Sequence, residues 1–347
     1  MSFHCTFDDM ETVHWAVMTE LHDSPDAIAA PRGKPIRELL GASFTLTNPR
    51  NRLILNPDRA VPYGFSVGEL CWYLRGDTDL ETISHYNKRM AQFSDDGRTI
   101  NSAYGARMFN AISSALGDRV SQPPVPSQWE LCLMELKADP DSRRAIMHIN
   151  QPRDLVKATL PDGSKDVPCT LSLQLLIRDR RLHMVVNMRS NDVVWGLPHD
   201  VFSFTCLQEV LMLELREAGV PVDDLGAYHH HAGSLHVYDT HFDLMAKVTN
   251  WTDFTSPSPM KPFTLDGIRM LAEEGEPAIR TTGAGPYYET KNDTERWMLD
   301  RLMHHSCKRS GIGTGYVPTV GPVPVGERWS GLVVDGTPSA GDMMGDK

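Results

Sequence analysis

Residues 171–188 read LSLQLLIRDRRLHMVVNM, two apolar runs joined by a short charged segment. Apolar runs of this length on either side of such a segment predict two buried antiparallel strands, with the turn at residues 178–181. Residues 202–218 follow with apolar side chains at helical spacing, which predicts a long core helix. A strand pair leading into one long helix favours an α+β fold over repeated βαβ units.

Shorter segments around this core carry further signals. Residues 11–21 have helical spacing, and the turn-rich run at residues 22–31 predicts a mobile loop after that helix. Residues 42–47 and 144–149 suit strands, whereas residues 67–73, closed by a glycine, and 129–137 suit helices.

Length and charge limit the functional class. The 347 residues, 41% of them apolar, are enough for one large domain or two modest ones. A net charge of −11 argues against broad binding of nucleic acid, because neutralising phosphates needs a surplus of basic residues. The sequence contains neither a run of ~20 apolar residues nor a basic start followed by an apolar run. We therefore expect a cytoplasmic protein without a membrane partner, and its six dispersed cysteines as free thiols.

Composition changes past about residue 250, where proline and glycine become frequent. Residues 321–347 alone contain six glycines and three prolines. We expect this end to be loosely ordered unless it covers a site. The sequence thus predicts a catalytic domain over residues 1–250 and a divergent C-terminal extension over residues 251–347.

Cys169 stands immediately before the first strand of the predicted hairpin and follows a proline. A cysteine at this position can be held rigidly while its sulfur faces a cleft. The alternative is a buried structural thiol, because free cysteine is among the most buried residue types.

Arginines flank this region in the sequence. Arg189 and Ser190 end the second strand, and Arg143 and Arg144 lie upstream. Arginines beside a hydroxyl offer forked, charge-assisted hydrogen bonds to a phosphate monoester, and a nearby guanidinium would lower the pKa of a cysteine thiol. The alternative is that they are surface arginines paired with aspartates.

Two carboxylates and a histidine cluster complete the candidates. Asp200 precedes the core helix, where aspartate is usually an N-cap. Glu69 lies on a helix rich in aromatic and aliphatic residues, either on an exposed face or aimed into a cleft. The run Tyr228–His231 suggests zinc, but no cysteine lies near it at ligand spacing, so no metal site is predicted.

Six motifs, taken in order, resemble the thymidylate synthase superfamily. They are GELCWYLRGDTDL (68–80), NSAYGARM (101–108), DPDSRRAI (139–146), VPCTLSLQ (167–174), MRSNDVVWGLPHDVFSF (188–204) and GSLHVY (233–238). The resemblance implies a mixed sheet packed by helices and a homodimer formed through that sheet. It also implies transfer of a one-carbon unit to C5 of a pyrimidine nucleoside monophosphate, with 5,10-methylenetetrahydrofolate as co-substrate and no metal.

The resemblance assigns a role to each matching residue. Cys169 matches the nucleophile that attacks C6 of the ring, Glu69 the proton-handling carboxylate, and Tyr104 a tyrosine of the pocket. The remaining matches are Arg189 and Ser190 as phosphate binders of the same subunit, Arg143 and Arg144 as phosphate binders from the neighbouring subunit, Arg32 as a weaker phosphate match, His236 and Tyr238 at the sugar 3′-hydroxyl, and Asp192 near the folate.

Asp200 departs from the synthases, which have asparagine at this position. The asparagine amide pairs with O4 and N3–H of uracil, whereas cytosine presents an amino donor and an N3 acceptor. A protonated carboxyl supplies the matching acceptor and donor. An amide in the uracil orientation would leave two groups mispaired, at a cost on the order of a few kcal/mol. Thiolate attack also pushes electron density towards N3, and a carboxylic acid can supply the proton there.

Two further departures bear on the product. Thr170 stands where the synthases usually have histidine, and residues 88–93 (KRMAQF) replace a tryptophan-rich stretch that packs against folate. Hydride addition to the exocyclic methylene at C5 gives a methyl group, whereas water gives a hydroxymethyl group. Altered folate packing and a cytosine-type pocket together favour water.

The sequence thus predicts a hydroxymethylase of cytidine 5′-monophosphates. The deoxy form is preferred because His236, Tyr238 and Ser190 agree with the deoxynucleotide pattern. Alternatives within this chemistry are a CMP 5-hydroxymethylase of nucleoside antibiotic biosynthesis and a C5 methyltransferase. A catalytically silent nucleotide-binding homologue is a different class, disfavoured because Cys169 and Glu69 are both present. A general cysteine hydrolase is disfavoured because no motif places a histidine to activate the cysteine.

Overall fold

The structure, a computed structural model, describes residues 3–110, 126–251, 257–283 and 290–310. Its strands are β1 (His4–Phe7), β2 (Ala27–Ala29), β3 (Ile36–Leu46), β4 (Ile146–His148), β5 (Thr170–Arg178), β6 (Arg181–Met188), β7 (Asn191–Asp192) and β8 (Asp224–Tyr238). Its α-helices are α1 (Met10–Asp23), α2 (Tyr63–Leu74), α3 (Leu80–Tyr86), α4 (Tyr104–Phe109), α5 (Gln128–Ala138), α6 (Pro152–Thr159), α7 (Leu197–Glu217), α8 (Phe242–Thr249), α9 (Leu265–Met270), α10 (Glu276–Thr282) and α11 (Asp293–Ser310).

The strands form one mixed sheet. Its order is β1-β3-β8-β6-β5-β4, with β2 paired to β3 and β7 to β8. The β3–β8 and β5–β6 pairs are antiparallel, whereas β6 and β8 run parallel. Helices pack on this sheet, which confirms the predicted α+β class.

The hairpin predicted from the opening stretch is formed by β5 and β6. Arg178 pairs with Arg181 across the turn, and the two residues between them, Asp179 and Arg180, have φ values of 49° and 57°. Two left-handed residues give a tight turn whose twist matches that of the strands. The position of the charged turn is therefore confirmed.

The two faces of the sheet differ in burial. Leu173, Leu175 and Val186 are fully buried on one face, while the alternating residues Gln174 and Val185 are half-buried on the other. Alternation of this kind describes a sheet with one face in the core. The sequence predicts a dimer formed through the sheet, and this remains a prediction for a single chain.

Helix α7 corrects one boundary. It begins at Leu197 rather than at Phe202, with Gly196 before it and Pro198 in its first turn, a position that proline suits. Asp200 therefore lies inside the first turn and is not an N-cap. The loop predicted at residues 22–31 is also interrupted, because Ala27–Ala29 pair with β3.

Part of the chain beyond residue 250 packs against the helix that carries Glu69. Trp297 and Leu302 of α11 are buried. A Cβ placed on Gly64 of α2 would lie 2.7 Å from the His305 Cβ, so α2 and α11 approach closely because Gly64 lacks a side chain. The predicted loose end at residues 321–347 lies outside the described residues, and the division near residue 250 stays a prediction. Among the helices described, none is long and apolar enough to cross a membrane.

Candidate active site

Cys169 lies at the open end of the β5–β6 hairpin, directly before β5. Its carbonyl accepts a hydrogen bond from the Arg189 amide over 2.9 Å, which ties the start of β5 to the end of β6. The Arg189 guanidinium turns back to donate to the carbonyls of Pro168 and Val167, each over 2.9 Å. Its Nη2 also lies 3.6 Å from the Cys169 Sγ. The strand pair thus holds sulfur and guanidinium side by side.

Charges around Cys169 act on its thiol in opposite directions. Burial raises the pKa of the thiol, Arg189 lowers it, Asp200 raises it and Arg32 lowers it, with a net increase. Arg32 lies in the short helical turn Pro31–Gly33 with a φ of 54° and is exposed. The two arginines are therefore the groups that favour the reactive thiolate.

Tyr104 closes one side of the site. Its hydroxyl oxygen accepts hydrogen bonds from the backbone amides of Cys169 and Thr170, over 3.2 and 3.3 Å. Its ring stacks on Tyr73 of α2, with centroids 5.7 Å apart and an interplanar angle of 28°. The tyrosine therefore links the cysteine strand to the helix that carries Glu69.

Glu69 is aimed inward, with 8% of its surface exposed. Burial and the nearby Asp200 together raise the pKa of its carboxyl to about 8, against the lowering effect of a hydrogen bond with Tyr73. The exposed-face alternative for Glu69 is therefore wrong. A carboxyl with this pKa can give and take a proton near neutral pH.

Asp200 has an unusual carboxyl for an aspartate. Asn191 Nδ2 donates to Asp200 Oδ2 over 2.6 Å. Burial raises the pKa of Asp200 to about 7, against the lowering effect of the Asn191 hydrogen bond, and the neighbouring Asp192 raises it. The acid and its conjugate base are thus both accessible near neutral pH.

The predicted sugar-side residues, His236 and Tyr238, both lie on β8, next to β7. Asp192 is paired with His236 across the two strands, and the ring of His236 meets that of Tyr238 edge-on, with centroids 5.1 Å apart. Ser190 precedes β7 and follows Arg189. The short β7 strand therefore brings Ser190 and Asp192 to the same end of the sheet as Cys169 and Arg189, where β6 ends and β5 begins.

Arg143 and Arg144 lie elsewhere in the chain. Gln174 Nε2 donates to the Arg143 carbonyl over 2.9 Å, beside the middle of β5 and roughly 16 Å along the strand from Cys169. Arg144 pairs with Glu135 of α5 over 2.9 Å and is largely exposed. The structure does not bring these arginines to the Cys169 of their own chain.

The structure adds residues that sequence reasoning did not assign. Asn191 contacts Asp200, as described above, and Tyr73 contacts Glu69. Trp195 donates its backbone N–H to Asp192 Oδ1 over 2.9 Å, and the guanidinium carbon of Arg89 lies 4.4 Å from the centroid of a Trp195 ring. Arg89 and Trp195 are too far apart in sequence for any local pattern to reveal this pair.

The histidine run does not form a metal site. His230 is buried and lies 3.0 Å from the Tyr228 hydroxyl, whereas His229 points to the other face of β8 and lies 3.0 Å from the Thr45 hydroxyl. Within the described ranges no group of three or more histidine, cysteine or acidic side chains could hold a metal ion.

A folate fits the side chains next to Asp192. The half-buried Trp195 presents an aromatic surface, and Arg89 supplies an exposed cation above it. An aromatic ring beside a guanidinium is a suitable chemistry for an aromatic anion.

Comparison with known proteins assigns the chain to a family. A family model described as thymidylate synthase matches residues 21–261, more than half of the chain. The chain therefore belongs to the thymidylate synthase family, as its six motifs predict.

Three relatives are named for different activities. The chain is 34% identical to a deoxyuridylate hydroxymethyltransferase of Bacillus phage SP01 over 64% of this chain and 55% of that protein. It is 33% identical to a deoxycytidylate 5-hydroxymethyltransferase of Enterobacteria phage T6 over 63% of this chain and 82% of that protein. A thymidylate synthase of Bacillus subtilis subsp. natto is 31% identical over 69% of this chain and 83% of that protein. The chain thus spans only about half the length of the SP01 relative.

A solved structure confirms the fold. Thermostable thymidylate synthase A from Bacillus subtilis superposes with a TM-score of 0.58 over 75% of this chain and 91% of that one, at 20% sequence identity.

Proposed function

We propose that this protein is a C5 hydroxymethyltransferase that converts dCMP to 5-hydroxymethyl-dCMP, using methylenetetrahydrofolate and water. The reaction would pass through a covalent adduct between Cys169 and C6 of the ring. The observation that carries the proposal is the Asp200 carboxyl, which has a pKa of about 7 at the position where the synthases carry a base-reading amide.

Asp200 selects the base through its protonated form. Its Oδ2 already accepts from Asn191, and the carboxyl as a whole keeps one donor and a free lone pair. The donor meets N3 of cytosine and the acceptor meets the C4 amino group. Uracil would set donor against donor at N3, at a cost on the order of a few kcal/mol in a dry pocket.

Cys169 performs the covalent step. Its thiolate, favoured by Arg189 at 3.6 Å, adds to C6 and pushes electron density through the ring to N3. Asp200 supplies the proton that N3 then requires. C5 becomes nucleophilic as a result.

Glu69 manages the proton at C5. Its carboxyl, with a pKa of about 8, can take the proton that C5 releases and return one near neutral pH. The hydrogen bond with Tyr73 keeps the carboxyl oriented within the buried site.

The folate supplies the one-carbon unit when it is bound. Asp192, Trp195 and Arg89 are the residues that would hold it. Half-burial of Trp195 keeps part of its ring available to a second aromatic surface.

The phosphate and sugar are assigned to the remaining residues. Arg189, Ser190 and Arg32 would bind the 5′-phosphate, and His236 with Tyr238 the 3′-hydroxyl. Arg143 and Arg144 would complete the phosphate site of a neighbouring subunit in a homodimer formed through the sheet. Their position away from their own chain's Cys169 supports this arrangement.

A second candidate is hydroxymethylation of dUMP. The SP01 relative carries a deoxyuridylate activity in its name, and an Asp200 with a pKa of about 7 has an ionised form that can accept N3–H of uracil. The relative rates with dCMP and dUMP separate the two candidates.

The test is a substrate panel of dCMP, CMP, dUMP and UMP with methylenetetrahydrofolate. The mass of each product distinguishes hydroxymethyl from methyl, and tritium released from C5 reports ring activation. We expect hydroxymethyl-dCMP as the main product. Faster consumption of a uridylate contradicts the account of Asp200, a methylated product contradicts attack by water, and binding without tritium release identifies a silent homologue.

A further inference from the structure

A buried hydrogen bond joins the two helices that carry Glu69 and Asp200. The Ser66 Oγ lies 2.7 Å from the His199 Nδ1. Ser66 is one turn before Glu69 on α2, and His199 directly precedes Asp200 on α7. We propose that Ser66 and His199 are a positioning pair that fixes the spacing of these two carboxyls. The inference rests on the proposed function, because it assigns a role within the same site.

Burial makes this hydrogen bond important to both side chains. Ser66 is fully buried and His199 is 3% exposed. Burying a hydroxyl or an imidazole without a hydrogen-bond partner costs free energy. The Ser66 hydroxyl and the His199 ring therefore favour the one relative position of α2 and α7 in which they meet. Sliding α2 along α7 would leave both groups unpaired.

Phe65 adds a second restraint on the same imidazole. Its ring meets His199 nearly at right angles, with centroids 4.8 Å apart and an interplanar angle of 75°. Phe65 and Ser66 are consecutive residues of α2, so they approach the imidazole from different directions around the helix. Rotation of α2 about its axis would break one contact or the other.

His199 itself stays neutral while the carboxyls titrate. Burial lowers the pKa of His199 to about 3, and the charge of Arg59 lowers it too. The charged or titratable groups around the pair are Arg59, Glu69 and Asp200, with Asp192 and Tyr73 acting on the two carboxyls. The pair therefore contributes position and not a proton.

The spacing of the carboxyls has a measurable consequence. Asp200 raises the pKa of Glu69, so the two groups are electrostatically coupled. A larger separation, or water entering between the helices, would bring the pKa of Glu69 down towards its ordinary value. It would also move the proton-transfer group away from the reacting carbon.

The experiment compares Ser66→Ala, His199→Phe and His199→Asn with the wild type. We expect the first two variants to lower kcat with dCMP about 10- to 100-fold. Carbon-13 NMR of labelled glutamate carboxyls should show the pKa of Glu69 shifted downward. His199→Asn keeps a short polar side chain facing Ser66 and should restore much of both properties.

Ser306→Ala is the matched control. It removes a hydrogen bond of 3.1 Å between Ser306 of α11 and the His85 ring of α3. It should reduce stability while leaving kcat and the pKa of Glu69 unchanged. A wild-type kcat and pKa in Ser66→Ala, or equal losses in Ser306→Ala, would overturn the inference. A wild type that turns over no pyrimidine nucleotide contradicts the proposed function instead, and the NMR titration then still tests the pair.

Discussion

The Arg189 Nη2 lies 3.6 Å from the Cys169 Sγ, while the same guanidinium is anchored to two backbone carbonyls. Arg189 lowers the pKa of a thiol that burial raises. Arg189→Gln should therefore shift the midpoint of Cys169 alkylation by iodoacetamide to higher pH, by roughly one unit. Arg180→Gln, which removes an exposed pair with Asp223, should leave the midpoint unchanged. An unshifted midpoint in Arg189→Gln would mean that the charge of Arg189 does not lower the pKa of the Cys169 thiol.

Base selection by Asp200 is tested by Asp200→Asn. An amide held in the uracil orientation would leave N3 and the C4 amino group of cytosine mispaired. We expect the ratio of kcat/KM for dCMP to that for dUMP to fall at least 10-fold. Steady-state rates with both nucleotides measure the ratio. An unchanged ratio would show that another group reads the base.

Arg143 and Arg144 are tested by mixing inactive subunits. Arg143→Ala and Cys169→Ala homodimers should each be nearly inactive, although Cys169→Ala should still bind nucleotide. A heterodimer of the two contains one intact site if the arginine crosses the interface, so activity should recover to at most half of the wild type. Purified heterodimers carrying two affinity tags provide the measurement. Absence of recovery would place each site within one chain.

The two raised carboxyl pKa values predict how stability depends on pH. Glu69 and Asp200 have pKa values of about 8 and about 7 in the folded chain, above the values of about 4 of unfolded carboxyls. The folded state thus binds more protons between these limits, and its stability falls as pH rises through them. Urea unfolding at several pH values should show a smaller fall for Glu69→Gln and Asp200→Asn.

Asp223→Asn is the control for that series. The hydrogen bond from Arg180 lowers the pKa of Asp223, so this carboxyl titrates below the window and the variant should keep the wild-type slope. Equal slopes for the wild type and both amide variants would show that neither carboxyl titrates differently in the folded state.

Glu276 tests whether residues beyond 250 stabilise the catalytic core. It is fully buried and pairs with Arg75, directly after α2, over 2.8 Å and with Arg280 over 2.9 Å. It also accepts a hydrogen bond from the Tyr86 hydroxyl over 2.7 Å. Glu276→Ala should cost about 3–5 kcal/mol of unfolding free energy, because two partly buried arginines and the Tyr86 hydroxyl lose their buried partner. Asp293→Ala, at an exposed pair with Lys261, should cost under about 1 kcal/mol. If Glu276→Ala costs as little unfolding free energy as Asp293→Ala, α10 contributes little to the stability of the core.

Local patterns were sufficient for the elements of the core. The hairpin follows from two apolar runs around a charged turn, and both runs pair as expected. The start of α7 was missed because Leu197 and Pro198 lie in a segment that also resembles a turn, and only packing shows that the helix includes them. The strand at Ala27–Ala29 was missed because its pairing partner in β3 supplies most of its order.

Some residues of the candidate site could be predicted from the sequence, and others could not. Cys169, Glu69 and Asp200 could be named from sequence motifs because their residue types are required by the chemistry. Trp195 under Arg89 and Ser66 against His199 could not, since each pair joins residues more than a hundred positions apart.

The sequence by itself determined the α+β class and the family and predicted the reactive side chains, because these depend on apolar periodicity and on motifs of fixed spacing. Only the tertiary structure decided which groups share a low-dielectric site. Burial and the distances between charges raise the pKa values of Glu69 and Asp200, and neither quantity is a property of the chain before it folds.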